Sequence, residues 1–209
     1  MNRGLFIALE GLEGSGKSSV LSTVQQTIES SGVETYCTRE PGGTPIGEQI
    51  RNLLLAPSSS ICNHCELMLM AAARAQLCTE VIQPKLSQGV CVITDRFSLS
   101  TIAYQGGGRN VSLKEIEAVN AITTEGLKPD LTLLLDADVR TCLTRMHVRG
   151  KADRIEQESL KFFNGVRAGY LLAARNDPSI KVIDSNGSLE SLKVAVRNVL
   201  IDFLRGGTK

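Results

Sequence analysis

Tryptophan is absent from this chain, and aromatic residues make up only 4% of its 209 residues. A core of this size must therefore be built from Leu, Val, Ile, Ala and Met rather than from large rings. Surplus charge is missing too, since 23 Lys and Arg stand against 22 Asp and Glu, leaving +1. A general nucleic-acid binder, or a protein drawn to anionic membranes, would carry a basic excess, so neither is expected as a partner. No apolar run approaches the ~20 residues that cross a bilayer. The stretch 5–9 is too short for the core of a secretory leader, and Glu10 follows it. The expectation is a cytoplasmic protein. Hydrophobic residues at 42% and charged residues at 22% are ordinary globular usage, which excludes disorder as the main state. At ~150 residues per domain, residues 1–209 read as one domain.

Six cysteines stand at 37, 62, 65, 78, 91 and 142. A chain of this length can build its own core without cross-links, so they read as reduced thiols. Cys62-Asn63-His64-Cys65 is the one cluster with metal-like spacing. A closed zinc site needs four ligands; no second C-x-x-C pair exists, and Cys78 could add only one more.

Short apolar runs alternate with longer helical patterns. Strands are expected at 5–10, 33–39, 90–95, 131–136 and 181–184. Helices are expected at 17–31, at 45–55 behind a Thr44 cap, at 63–87 with a bend near Pro84, at 112–124 behind the Ser112-x-x-Glu115 capping box, from 138 toward 150, at 156–176 and at 189–204. Gly106-Gly107-Gly108 reads as a loop. Short strands separated by helices make crossover units, hence an α/β fold in three layers with a parallel sheet. Continuously apolar strands such as 131–136 suit a sheet covered on both faces.

Gly11-Leu12-Glu13-Gly14-Ser15-Gly16-Lys17-Ser18 fits G-x-x-x-x-G-K-[ST], placed after a strand and at a helix start. Glycines let backbone N–H groups turn inward around phosphates, and the helix N-terminus adds partial positive charge. Lys17 reaches the β- and γ-phosphates, and the Ser18 hydroxyl ligates Mg²⁺. The pattern means a nucleoside triphosphate, used either by a hydrolytic switch or by a kinase. The guanine-reading N-K-x-D is missing. A kinase for a phosphorylated acceptor must bring two polyanions together, which needs several cations aimed at one place. Arg39, Arg51, Arg74, Arg96 and Arg109 are candidates. Residues 145–154 add Arg145, Arg149, Lys151 and Arg154 against Asp153 alone, a basic segment suited to a mobile flap. Arg96 follows Asp95 at the C-terminal end of a strand, where open α/β sheets bind ligands.

These strings together resemble the thymidylate kinase family. The matching segments are EGLEGSGKS at 10–18, TREPGGT at 38–44, AARAQ at 72–76, DRF at 95–97, STIAYQGGGR at 100–109, PDL at 129–131 and DRIEQE at 153–158. The resemblance implies a P-loop nucleoside-monophosphate kinase fold with a five-stranded parallel sheet and helices on both faces. It also implies a homodimer packed through helices, and a lid over ATP at about 145–157. The reaction it implies is Mg²⁺-dependent transfer of the ATP γ-phosphoryl to dTMP, the alternatives being another nucleoside monophosphate or a nucleotide switch acting through partner binding. By position, Glu13 corresponds to the acidic residue near the acceptor sugar and metal. Arg96 clamps the acceptor phosphate, Asp95 helps hold Mg²⁺, and Arg39 supports phosphate binding. Arg74 bonds the thymine edge, while Thr101 and Tyr104 line the base and deoxyribose. Gly14 replaces the cradle arginine of one family layout, so Arg154, with Arg149 the lesser choice, takes the lid role. Where the family commonly has Phe on the thymine face, this chain has Met70, and Ile102 stands where bacterial relatives often have Gln.

Overall fold

The computed structural model describes residues 3–148 and 153–206. Five parallel strands lie in the order β2-β3-β1-β4-β5. They are β1 (Phe6–Glu10), β2 (Thr35–Arg39), β3 (Cys91–Asp95), β4 (Leu131–Asp136) and β5 (Ile180–Asp184). Every residue of β1 is buried, as a strand must be when parallel partners flank it and helices cover both faces. Leu9 lies opposite Asp95 of β3 and Leu133 of β4, so the loops after β1, β3 and β4 emerge at one rim.

Helices α1 (Lys17–Glu29) and α9 (Leu189–Gly206) pack on one face. Val20, Val24, Ile28, Val196 and Leu200 pack there against Ile7, Leu9 and Leu133. On the other side lie α2 (Pro45–Leu55), α3 (Asn63–Leu77), α6 (Leu113–Thr124) and α8 (Leu160–Asn176). Thr44 caps α2 by accepting the Gly47 N–H, with Pro45 in the first turn. The Ser112–Glu115 capping box opens α6 as expected. α7 (Val139–His147) follows β4.

The structure corrects the sequence expectations in three places. The helix expected at 63–87 runs as α3, a π-helical turn at Cys78–Ile82 and α4 (Gln83–Ser87). The wide turn sits just before Pro84, which lacks an N–H and cannot continue the i−4 ladder. Gly106-Gly107-Gly108 is no loop: α5 (Ser98–Thr101) continues as a π-helical segment, Ile102–Gly108. A Cβ on Gly107 would stand 2.3 Å from the Gly165 carbonyl oxygen of α8, so these glycines permit a backbone-to-backbone crossing. Finally, α8 starts at Leu160 rather than 156. The Asp153 carboxylate accepts the N–H groups of Ile155 and Glu156 and holds a turn there, and Ser159 is the true cap.

Candidate active site

The loop from Gly11 to Gly16 joins β1 to α1. Gly11 and Gly14 have φ of +135° and +78°, and a Cβ on either would lie 2.4 Å from a backbone oxygen, of Leu135 and Cys142 respectively. Only glycine fits, and position 14 has no room for a longer side chain. Gly16 stands at the α1 N-cap with no side-chain cap, which leaves the helix N-terminus to an anion. Lys17 is buried, and its Nζ donates to Gly11 O at 3.0 Å and Leu12 O at 2.9 Å. Burial, and then repulsion from Arg96, lower the pKa of its ammonium.

Facing the loop is Arg96, which adopts the left-handed conformation (φ +75°) directly after β3. One terminal nitrogen donates to Gly11 O at 3.0 Å, Ser100 Oγ at 3.1 Å and Tyr170 Oη at 3.0 Å. The other donates to Glu13 Oε1 at 2.6 Å and Tyr104 Oη at 3.1 Å. Burial opposes the Glu13 charge, but Arg96 and Lys17 outweigh it and hold the carboxyl below its ordinary value. Burial likewise opposes the Arg96 charge, but Glu13, Tyr104, Tyr170 and Asp95 together outweigh it. Beneath them Glu10 is fully buried. It accepts from the N–H groups of Phe97 and Ser100 and from the hydroxyls of Ser100 and Tyr170. Burial raises its pKa.

A cavity of about 270 Å³ opens over this network. It is lined by Glu13, Gly14, Gly16, Lys17, Ser18, Arg39, Met70, Arg74, Asp95, Arg96, Thr101 and Tyr104. The fold thus gathers nearly all the residues that the sequence nominates, from five separate segments. Gly11, Leu12 and Ser15 complete the cradle. Asp95 Oδ1 is buried without a hydrogen-bond partner, as is Ser15 Oγ. Among the described residues no group of three or more His, Cys, Asp or Glu gathers as a metal site. One carboxylate and the Ser18 hydroxyl do fit Mg²⁺, which takes few protein oxygens and completes its shell with water and substrate phosphate.

Two nominated arginines are engaged elsewhere. Arg74 is 2% exposed. It donates to Glu40, Thr101 Oγ1, Asn120 Oδ1 and the Phe97 carbonyl, so protein groups occupy all its N–H groups. Arg154 lies between cavity-lining Asp153 and Ile155, but its Nε donates to Leu54 O at 2.7 Å and a terminal nitrogen to Glu66 Oε2 at 2.6 Å. Arg39 pairs with Glu48 at the cavity edge. Arg149 and Lys151 lie outside the described residues.

Sequence reasoning missed Glu10, Glu40, Glu66 and Tyr170. A carboxylate closing an apolar strand, as Glu10 does, was a visible signal, because a buried charge needs partners. Glu66 gives no such sign: in sequence it is one acid on a helix. In the fold it is 1% exposed and binds Gln105, Arg109 and Arg154.

A phosphate cradle after the central strand of a parallel sheet, with an arginine-lined acceptor cavity beside it, defines a P-loop nucleoside-monophosphate kinase. The family profile described as Thymidylate kinase matches residues 9–196. The chain is 48% identical over 202 residues to a thymidylate kinase of Shewanella loihica, covering 95% of this chain and 96% of that one. It is 44% identical over 208 residues to one of Hahella chejuensis (99% and 100% covered) and 42% identical over 203 residues to one of Legionella pneumophila (96% of each). The chain belongs to the thymidylate kinase family.

Proposed function

We infer that this chain transfers the γ-phosphoryl group of ATP to dTMP, giving dTDP and ADP. The observation that carries the reading is a single cavity in which the cradle lysine, Lys17, and an acceptor-side arginine, Arg96, meet across Glu13. No general base is required, because a phosphate monoester with a second pKa of ~6 is already largely dianionic at neutral pH. Catalysis then rests on alignment and charge neutralisation. Lys17 and the α1 N-terminus hold the donor phosphates, and Arg96 holds the acceptor phosphate. Glu13 orients Arg96 and Tyr104, and Tyr104 with Thr101 and Met70 bounds the nucleoside. Asp95 and Ser18 would hold Mg²⁺, which would offset the negative charge of the donor phosphates.

Gly14 has no space for a cradle side chain, so charge over the transferring group must come from the basic segment. We assign it to Arg154, which would exchange its Glu66 contact for the phosphoryl group. For Arg74, the reading implies exchanging a protein partner for the thymine edge. The chain acts as one kinase domain with a basic lid at about 145–157, in the cytoplasm and as a homodimer. Exposed Leu53, Met68 and Ile122 on neighbouring α2, α3 and α6 support a second copy docking there. Among the described residues no helix is long and apolar enough to cross a membrane.

The test is coupled ADP release with ATP and Mg²⁺, with and without dTMP, against the other nucleoside monophosphates. Release dependent on dTMP is expected. Equal release without an acceptor would identify a hydrolytic switch, and release with a different monophosphate would reassign the substrate.

A further inference from the structure

The Cys62-Asn63-His64-Cys65 cluster lies outside the lining of the cavity. Its two cysteines are exposed, and they occupy the N-cap and the third position of α3. The same two positions of α6 hold Ser112 and Glu115, whose side chains meet with Oγ 2.6 Å from Oε2. The backbone at the two caps is nearly the same, φ −72° and ψ 157° at Cys62 against −65° and 140° at Ser112. Ser159 repeats it at α8 with −72° and 158°, and there too the side chain swings over the third residue to accept its N–H. An N-cap side chain in this conformation can turn toward the third helical residue, as a capping box requires, although Asp138 at the start of α7, with −59° and 138°, meets Arg167 instead. At α3 the cap forms no side-chain hydrogen bond, and both positions carry sulfur. A disulfide needs its Cβ atoms within about 4.5 Å of each other, a separation the backbone sets, after which rotation about χ1 brings the sulfurs together. The turn is also in place, with Glu66 N–H bonded to Cys62 O at 2.9 Å.

We propose that Cys62 and Cys65 form a dithiol–disulfide couple, a reversible modification site at the start of α3 that takes small-molecule disulfides such as glutathione disulfide as oxidant. One cysteine thiolate attacks a sulfur of glutathione disulfide, and the glutathione thiolate that leaves takes up the proton the cysteine lost. The second cysteine thiolate attacks the mixed disulfide and expels the second glutathione in the same way. Two protein thiols lose two electrons and two protons to one disulfide bond, and one glutathione disulfide becomes two thiols. In a reducing compartment the couple rests as the dithiol and oxidises transiently.

The remaining cysteines are chemically separate. Burial pushes the thiols of Cys78 and Cys91 up to about 12 and that of Cys142 up to about 11, which keeps them unreactive. Burial, followed by Glu29, raises that of half-buried Cys37.

The experiment equilibrates the full chain with glutathione buffers of rising oxidised share, traps free thiols with iodoacetamide and reads the labels by mass spectrometry. Cys62 and Cys65 are expected to lose their labels together, with a mass change of two hydrogens. The oxidised fraction should follow oxidised glutathione over the square of the reduced form. Cys62→Ser keeps a favoured N-cap, so it folds. It should stop at a mixed disulfide on Cys65, one glutathione heavier. A wild-type chain that accumulates a mixed disulfide, forms covalent dimers, or keeps both thiols alkylatable under excess oxidised glutathione would overturn the proposal. So would a Cys62→Ser variant that never takes up glutathione.

Discussion

At the scale of single residues, the site is a set of ion pairs whose members come from far apart. Glu66 is the sharpest case, since Arg109 and Arg154 both close on it. Two substitutions separate the roles open to Arg154. If it reaches the transferring phosphoryl, Arg154→Ala should lower kcat by about 10³-fold and change the KM for dTMP much less. Glu66→Gln should then spare kcat, while destabilising the fold by roughly 1–3 kcal/mol as two partly buried arginines lose a shared counter-charge, Arg109 keeping Glu158. Steady-state kinetics and melting curves on both variants give the answer. An equal loss of stability with kcat within a few-fold of wild type in both would confine Arg154 to holding the root of the lid. Met70 offers a milder test. It is half-buried and lines the cavity, whereas neighbouring Leu67 is in the core and Met68 faces outward. A flat ring in its place gains roughly 0.5–1.5 kcal/mol against an aromatic base, so calorimetric titration should find dTMP bound about two- to tenfold tighter by Met70→Phe.

At the scale of elements, the crossing of α8 over the π-helical segment sets the position of two site tyrosines. Tyr104 lies on one partner and Tyr170 on the other. In an ordinary helix Gly→Ala gains up to ~1 kcal/mol. At Gly165 the new Cβ would stand 2.3 Å from the Gly107 carbonyl oxygen, and backbone cannot step aside. Gly165→Ala should therefore cost at least roughly 1–3 kcal/mol in chemical denaturation. Gly106→Ala, whose nearest Cβ contact would be the end of the Ile116 side chain at 3.2 Å, with the Val111 carbonyl oxygen at 4.0 Å, should cost far less. A Gly165→Ala protein as stable as wild type would remove the close crossing.

The same crossing explains what the sequence concealed. Strands were legible because their apolar runs are local, and Thr44, Ser112 and the cradle were legible because caps and loops signal within a few residues. Three consecutive glycines signal a loop just as locally. The true reason for Gly107 and Gly108, close approach to α8 at Phe162, Gly165 and Gly169, lies some sixty residues downstream. The site divides along the same line. Lys17, Asp95 and Arg96 were readable from motif and strand end. The pairing of Arg74 with Glu40 and of Arg154 with Glu66 was not, because which acid a basic side chain meets is decided by tertiary packing.

For the molecule as a whole, buried carboxylates set the response to acid. Burial opposes the Glu66 charge, but hydrogen bonds from Arg109, Gln105 and Arg154 outweigh it and hold its pKa below the usual 4.5. A carboxyl depressed in the folded state contributes stability above its unfolded pKa and loses it as pH falls through the folded one. Glu13 has the same sign, whereas Glu10 and Glu40, raised by burial, have the opposite one. The melting temperature of wild type should thus exceed that of Glu66→Gln at neutral pH, and the gap should narrow as pH drops below about 4.5. A gap constant down to acid pH would mean that Glu66 stabilises the fold without its charge.

The order β2-β3-β1-β4-β5 also decides which part of the protein comes apart last. Every residue of β1 is covered, whereas β2 and β5 lie at the edges and are partly exposed. Amide protons in Phe6–Glu10 should exchange with solvent only when the whole domain opens, and those in Ile180–Asp184 much earlier. The phosphate loop hangs from the end of β1, on the most persistent strand, while the acceptor pocket borrows its walls from outlying helices. A partly opened molecule would then still grip a triphosphate after it had lost its hold on the monophosphate.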